Sequence, residues 1–233
     1  MADQTSTNTQ AAALPGVPSS WPGAFGAYKH SKPAVKLNLV TLVVLWLVTI
    51  LAGGLAESVF QNGGSSLINL IVGALTSAAL ALTFIAGVRG QRLAIGEAFS
   101  KAFPFWLRAI GLDILVGLSL LASLLLLVIP FFFVFPRLIL ATYFLVDKNL
   151  GVIDAYKASW NATKGNTGKI WGIIGVHFLI VLLMITIIGI PFAIYFFIMY
   201  SGVFGVLYEF LNKAQPASAP VPAKSAAPAA PVV

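Results

Sequence analysis

The chain has 233 residues, 59% of them hydrophobic and only 9% charged, with a mean hydropathy of +0.94 and a net charge of +7. Charged residues make up about a quarter of an ordinary soluble domain, so this composition excludes one and points to a membrane protein. The absence of cysteine excludes disulfides, thiolate metal sites and cysteine nucleophiles.

Residues 1–20 are Thr, Ser, Ala, Gln and Pro without periodicity, and are expected to be a disordered tail. A membrane domain is expected over 21–212. AYKHS at 27–31 opens it, a pentapeptide that returns as AYKAS at 155–159. Around it a short helix is expected at about 24–32, weakened by Pro22, Gly23, Gly26 and Pro33. The first apolar run, Leu37–Ala56, begins too late and runs too long for a secretory signal core, which makes it a retained anchor. Leu67–Val88 follows across the polar stretch QNGGSS.

Over 95–106, Ile95, Phe99, Phe103 and Trp106 recur at helical spacing on one face, with Glu97 and Lys101 forming an i,i+4 pair on another. Aromatics beside lysines suit an amphipathic helix lying in the headgroup layer. The runs Ala109–Ile129 and Phe131–Val146 come next, joined at Ile129-Pro130. The second of these, at ~1.5 Å per residue, falls short of the ~30 Å hydrocarbon core. It is expected to recruit Asp147 and Lys148, snorkelling outward. Residues 152–164 repeat the amphipathic helix, with Tyr156, Trp160 and Thr163 on one line and Asp154 paired to Lys157. Gly165 or Gly168 is expected to end it. Ile170–Ile190 and Phe192–Leu211 close the domain, joined at Ile190-Pro191. Residues 213–233 form an Ala/Pro-rich tail, again expected to be disordered.

The fold predicted is an all-α, polytopic integral membrane protein. Six transmembrane helices are arranged as hairpin repeats, each hairpin introduced by a short interfacial helix. Apart from Arg137, every lysine and arginine falls on alternate connections or flanking segments. The positive-inside rule then places those segments and both termini in the cytoplasm of a plasma membrane, the inner membrane of a bacterium. The basic face suits anionic lipid headgroups, and with no soluble domain to present the charge, nucleic acid is not an expected partner.

Asp113, Arg137 and His177 are ionisable groups inside the runs, and such residues are costly enough to be functional candidates. By helix rise they lie roughly 6, 15 and 11 Å from the cytoplasmic ends, so a polar cluster of the three is geometrically open to them. A simple pairing of Arg137 with Asp113 as glue between spans accounts for two of them. Pro136 is expected to kink the fourth span and free a carbonyl near Arg137. The chain carries no HExxH, GxSxG or P-loop and no paired carboxylates at useful spacing, so no catalytic residue, cofactor or metal is expected.

PRLILATYFLVDKNLGVIDAYKASWNATKGNTGKIWGIIG (136–175) and IIGIPFAIYFFIMYSGVFGVLY (187–208) carry a recognisable pattern. An acidic-Ala-x-x-x-Ser-aromatic helix (Asp154, Ala155, Ser159, Trp160) leads through Lys164-Gly165-Asn166 into the next span. In this the chain resembles the glycerophosphoryl diester phosphodiesterase membrane domain family and its bacterial polytopic relatives, over about residues 22–212. The resemblance implies a polytopic helical domain and no activity, because the catalytic barrel and metal-binding residues of the attached enzyme are missing here. The expected function is a non-enzymatic membrane protein that organises lipid or unidentified protein partners at the cytoplasmic face. Phe99, Phe103, Trp106, Tyr156 and Trp160 would be its interfacial anchors. The alternative is a transporter or permease for a small anionic or lipid-like solute, using Arg137, Asp113 and His177.

Overall fold

Long apolar runs without polar alternation have one economical way to satisfy their backbone groups, which is to coil into helices. The computed structural model describes residues 16–59, 64–126, 128–185 and 189–214, and these contain helices and no strand. In chain order they are α1 (Gly23–Gly26), α2 (Tyr28–Leu37), α3 (Leu39–Val59), α4 (Gly64–Val88) and α5 (Ile95–Ala102). A 3-10 turn, Phe103–Phe105, leads into α6 (Trp106–Leu126), followed by α7 (Val128–Leu138), α8 (Ala141–Asp147) and α9 (Val152–Thr163). The last three are α10 (Thr167–Leu183), α11 (Gly189–Ser201) and α12 (Val203–Ala214).

Four stretches are long and apolar enough to cross a membrane: Leu67–Val88, Ile95–Leu126, Ile129–Asp147 and Gly189–Lys213. Two bent pairs, Gly23–Leu37 with Leu39–Leu55 at 84° and Val152–Thr163 with Thr167–Leu183 at 93°, raise the number to as many as six. The expected tails lie mostly outside the described residues. Gly16 and Val17, read from the sequence as tail, instead pack on the end of α4, where the Gly16 amide donates to the Val88 carbonyl at 3.2 Å. That carbonyl is one of the orphans every helix end leaves.

The core gathers around α4, which packs against α2, α3, α5, α6, α8 and α12. Its Ala74, Ala78, Ala79 and Ala81 are buried, and such small side chains let neighbouring backbones approach closely. Gly87 is the extreme case, since a Cβ there would lie 2.6 Å from the Ala34 carbonyl oxygen of α2.

Each expected short helix is present, but they meet their spans differently. α9 turns through 93° into α10 at Lys164-Gly165-Asn166, with Gly165 at φ +78°, a left-handed conformation that glycine adopts at little cost. α5 instead runs on through the 3-10 turn into α6 as a single 32-residue stretch. Here Phe103-Pro104-Phe105 stands in place of a glycine turn, and proline near a helix start keeps the chain helical. α2 forms despite Pro33 and bends by 84° at Asn38.

The stretches Ile129–Asp147 and Gly189–Lys213 are both interrupted, at 139–140 between α7 and α8 and at Gly202 between α11 and α12. Pro136 lies in the last turn of α7, so the break expected beside it does occur. Each break is closed by one of the twin pentapeptides. Ser159 of AYKAS donates to the Arg137 carbonyl at 2.7 Å, joined by the Thr163 hydroxyl at 3.3 Å, and Ser31 of AYKHS donates to the Met199 carbonyl at 2.7 Å. Both serines are fully buried, as are the alanines that open the pentapeptides, Ala27 and Ala155. The third short helix places Ala102 at the matching position against the unbroken α4, where no hydroxyl is needed.

A buried carbonyl that loses its donor costs about 1–3 kcal/mol. Ser159→Ala and Ser31→Ala are each expected to lower the free energy of unfolding in detergent by that amount, whereas the exposed Ser100→Ala leaves it unchanged. Gly87→Val should cost a comparable ~1–3 kcal/mol by overpacking α2 against α4. Denaturant titration followed by circular dichroism measures all four.

Candidate functional site

Arg89 follows the last residue of α4, Asp147 ends α8 and Glu209 lies in α12. Packing of α4 against both α8 and α12 brings the three together. Arg89 Nη2 lies 2.7 Å from Asp147 Oδ1, and Arg89 Nε donates to Glu209 Oε1, also at 2.7 Å. The Tyr208 hydroxyl donates to the second oxygen of Asp147 at 2.6 Å. The Tyr208 ring is held edge-on by Phe144 at 4.9 Å and stacked by Tyr143 at 5.6 Å.

Glu209 is only 2% exposed and Asp147 9%, so neither carboxylate is bathed in water. The planar guanidinium can serve both because its donors point along different edges. Burial on its own would lower the Arg89 pKa, but the Asp147 and Glu209 carboxylates outweigh it and hold the group above its ordinary value. Arg89 therefore stays charged at any physiological pH, and both carboxylates have a fixed counter-charge.

Asp147 was expected to reach outward to lengthen a short span. It points inward instead, because Arg89 and Tyr208 each satisfy one of its carboxylate oxygens.

Asp113, Arg137 and His177 are not joined to one another by any hydrogen bond or ion pair among the described residues. Arg137 packs its guanidinium over the Trp160 ring at 4.9 Å from the ring centre, so the break at 139–140 seats it against α9. His177 Nδ1 lies 3.0 Å from the Ile173 carbonyl, and its ring is enclosed by Tyr200, Phe197 and Phe204 at 4.9–5.9 Å. Asp113 sits half-buried on α6, with no hydrogen-bond or ion-pair partner among the described residues. The anticipated Arg137–Asp113 glue is absent, since Arg137 finds an aromatic face on the neighbouring helix first.

The five aromatic anchors divide. Phe103 is 62% exposed and stacks on Trp106 at 6.3 Å; Tyr156 and Trp160 stack at the same distance, nearly parallel. Phe99 and Tyr156 also pack partly on the core, and the Tyr156 hydroxyl reaches Ser119 Oγ at 3.2 Å. Glu97 and Lys101 pair at 2.7 Å as their spacing predicts. Asp154 and Lys157 form no ion pair among the described residues, and Thr163 is buried with Ser159 rather than aligned with the aromatics.

Sequence reasoning missed the Arg89 junction. A signal was available: with only seven acidic residues in the chain, Asp147 and Glu209 both stand at the ends of apolar runs. Nothing in the spacing says that Arg89 is their common partner. Among the described residues no group of three or more His, Asp or Glu could hold a metal ion. The arrangement clamps the ends of α4 and α8 to the middle of α12. No family model, curated protein or solved structure matches this chain.

Removing one member of a buried ion-pair network strands the others, at a cost of about 3–5 kcal/mol. Arg89→Met should therefore destabilise the protein by roughly that much, well beyond Lys101→Met at the exposed Glu97 pair. Arg89→Met with Glu209→Met and Asp147→Asn should recover most of the loss. Thermal and denaturant unfolding of the purified protein in detergent checks both expectations.

Proposed function

We propose that this is a non-enzymatic, multi-pass membrane protein that gathers anionic lipid, and through it protein partners, at the cytoplasmic face of a plasma membrane. The single observation that carries the reading is the geometry of α9. It stands at 93° to its apolar neighbour α10, as a helix lying along the membrane surface stands to a helix crossing it. Its buried side is Ala155, Ser159, Ala162 and Thr163, and Lys157 and Lys164 are exposed. The Tyr156–Trp160 stack lies between, half-exposed, where amphipathic rings favour the interface.

In this reading α2 and α5 are divergent counterparts of α9, and the chain comprises three hairpins, α3 with α4, α6 with α7–α8, and α10 with α11–α12. Support comes from the fully buried alanines Ala27, Ala98 and Ala155, one per short helix. The order of packing also supports it: α5 lies on α4, α9 on α7 and α8 as well as α6, and α2 on α11 and α12 as well as α4. Each short helix thus braces the second arm of the preceding hairpin, with the first helix bracing the last. Six spans, with both termini and the basic connections on the cytoplasmic side, follow from that organisation and from the positive-inside rule. The proposed kinship with the glycerophosphoryl diester phosphodiesterase membrane domain family, resting on residues 136–175, agrees with a membrane part that carries no catalysis.

The test is to replace Phe99, Phe103, Tyr156 and Trp160 together by leucine, which keeps apolar bulk and removes the interfacial ring. Binding to vesicles or nanodiscs of graded phosphatidylglycerol content should lose several-fold in anionic preference, and co-purified partners should be depleted. Retained helix content with unaltered lipid preference and partner recovery would overturn the proposal.

A further inference from the structure

The right-angle bend between α2 and α3 opens a groove of about 470 Å³ against the 91–94 loop. Lys36 and Arg92 line it together with Asn38, Val40, Thr41 and Leu93. Its wall is built rather than incidental. The Asn38 side chain donates to the Gln91 carbonyl at 2.9 Å and accepts from the Leu93 amide at 2.7 Å, and the Thr41 hydroxyl donates to the Leu93 carbonyl at 2.8 Å. Three hydrogen bonds thus lock the loop carrying Arg92 to the helix junction carrying Lys36. Both cations are exposed, and neither has a carboxylate partner among the described residues.

Immediately below the cations the groove becomes apolar. Val40 is 71% exposed, and Val43 and Leu47 continue the same face of α3 at helical spacing. A fixed pair of unneutralised cations above an unpartnered apolar stripe matches one kind of molecule, with an anionic head and a hydrocarbon tail. We infer that the α2–α3 groove binds an anionic phospholipid, its phosphate between Lys36 and Arg92 and its acyl chain along Val40, Val43 and Leu47. Free inorganic phosphate would use the cations but leave the stripe uncovered. The site rests on the lipid-gathering function proposed above and gives that function a location.

The test uses the full chain purified in detergent, titrated with phosphatidylglycerol, phosphatidylcholine or inorganic phosphate and read by native mass spectrometry. Each cation beside a membrane surface contributes about fivefold in affinity for an anionic lipid. Lys36→Gln and Arg92→Gln should each weaken phosphatidylglycerol retention about fivefold, and together roughly 25-fold, with phosphatidylcholine retention unchanged. Lys213→Gln, at an exposed cation of α12 outside both the groove and α9, should not change it. A loss at Lys213→Gln equal to that of either groove variant would overturn the groove while leaving a diffuse basic face. Inorganic phosphate displacing the lipid at matching concentration would overturn the assignment to lipid. A wild-type protein without preference for phosphatidylglycerol would overturn the groove and the proposed function together.

Discussion

One guanidinium ties the ends of two apolar helices to the middle of a third. Arg89 bonds to Asp147 and Glu209 at 2.7 Å each, and Tyr208 takes up the remaining oxygen of Asp147. Between apolar helices immersed in lipid there is little hydrophobic drive to associate, because the lipid is as apolar as the side chains. A buried charge network is then an effective way to choose one packing over others. Any arrangement that separates α4 from α8 or α12 would strand a charge where water is scarce. The alanines of α4 make the close approach available, and the charges select the partners.

A second constraint is imposed by the interrupted spans. A helix that breaks inside a bundle exposes carbonyls that water cannot reach, and each needs a donor from elsewhere in the chain. Ser159 and Thr163 supply it at Arg137, and Ser31 supplies it at Met199. This explains the recurring pentapeptide. Its alanine allows close contact, its serine seals a broken helix, and its lysine stays on the exposed side. Where the adjacent arm is unbroken, at α4, the serine position is occupied by Ala102. The two constraints act at neighbouring levels of the same helices, so the short helices brace the arms whose ends the charge network ties together.

These features also bear on what the chain does. Two of the three polar groups that the sequence offers as candidates for transport are absorbed locally, Arg137 by Trp160 and His177 by the Ile173 carbonyl and three aromatic rings, while Asp113 is left without a hydrogen-bond or ion-pair partner among the described residues. Lys36, Arg92, Lys157 and Lys164, which have no carboxylate partner among the described residues, lie on the short helices and their loops. Their chemistry faces whatever lies beside those helices, and the anionic lipid proposed above as the partner matches both their sign and the apolar faces next to them.

Helical class, the positions of the apolar runs and the short helices at 95–102 and 152–163 were legible in the sequence. They depend on hydropathy over windows of ten to twenty residues and on a 3.6-residue period, which are local properties. The break beside Pro136 and the turn at Gly165 were legible for the same reason, since proline and glycine act on their own backbone. Tertiary structure alone decided that Arg89 rather than Arg137 has acidic partners, that Asp147 turns inward, that Ser31 meets Met199 across 168 residues, and that α5 runs straight into α6 while α9 turns. A charge or hydroxyl in an apolar chain must find a partner, which a sequence reveals as a need; which partner it finds depends on which helices lie side by side, and that is settled by three-dimensional packing.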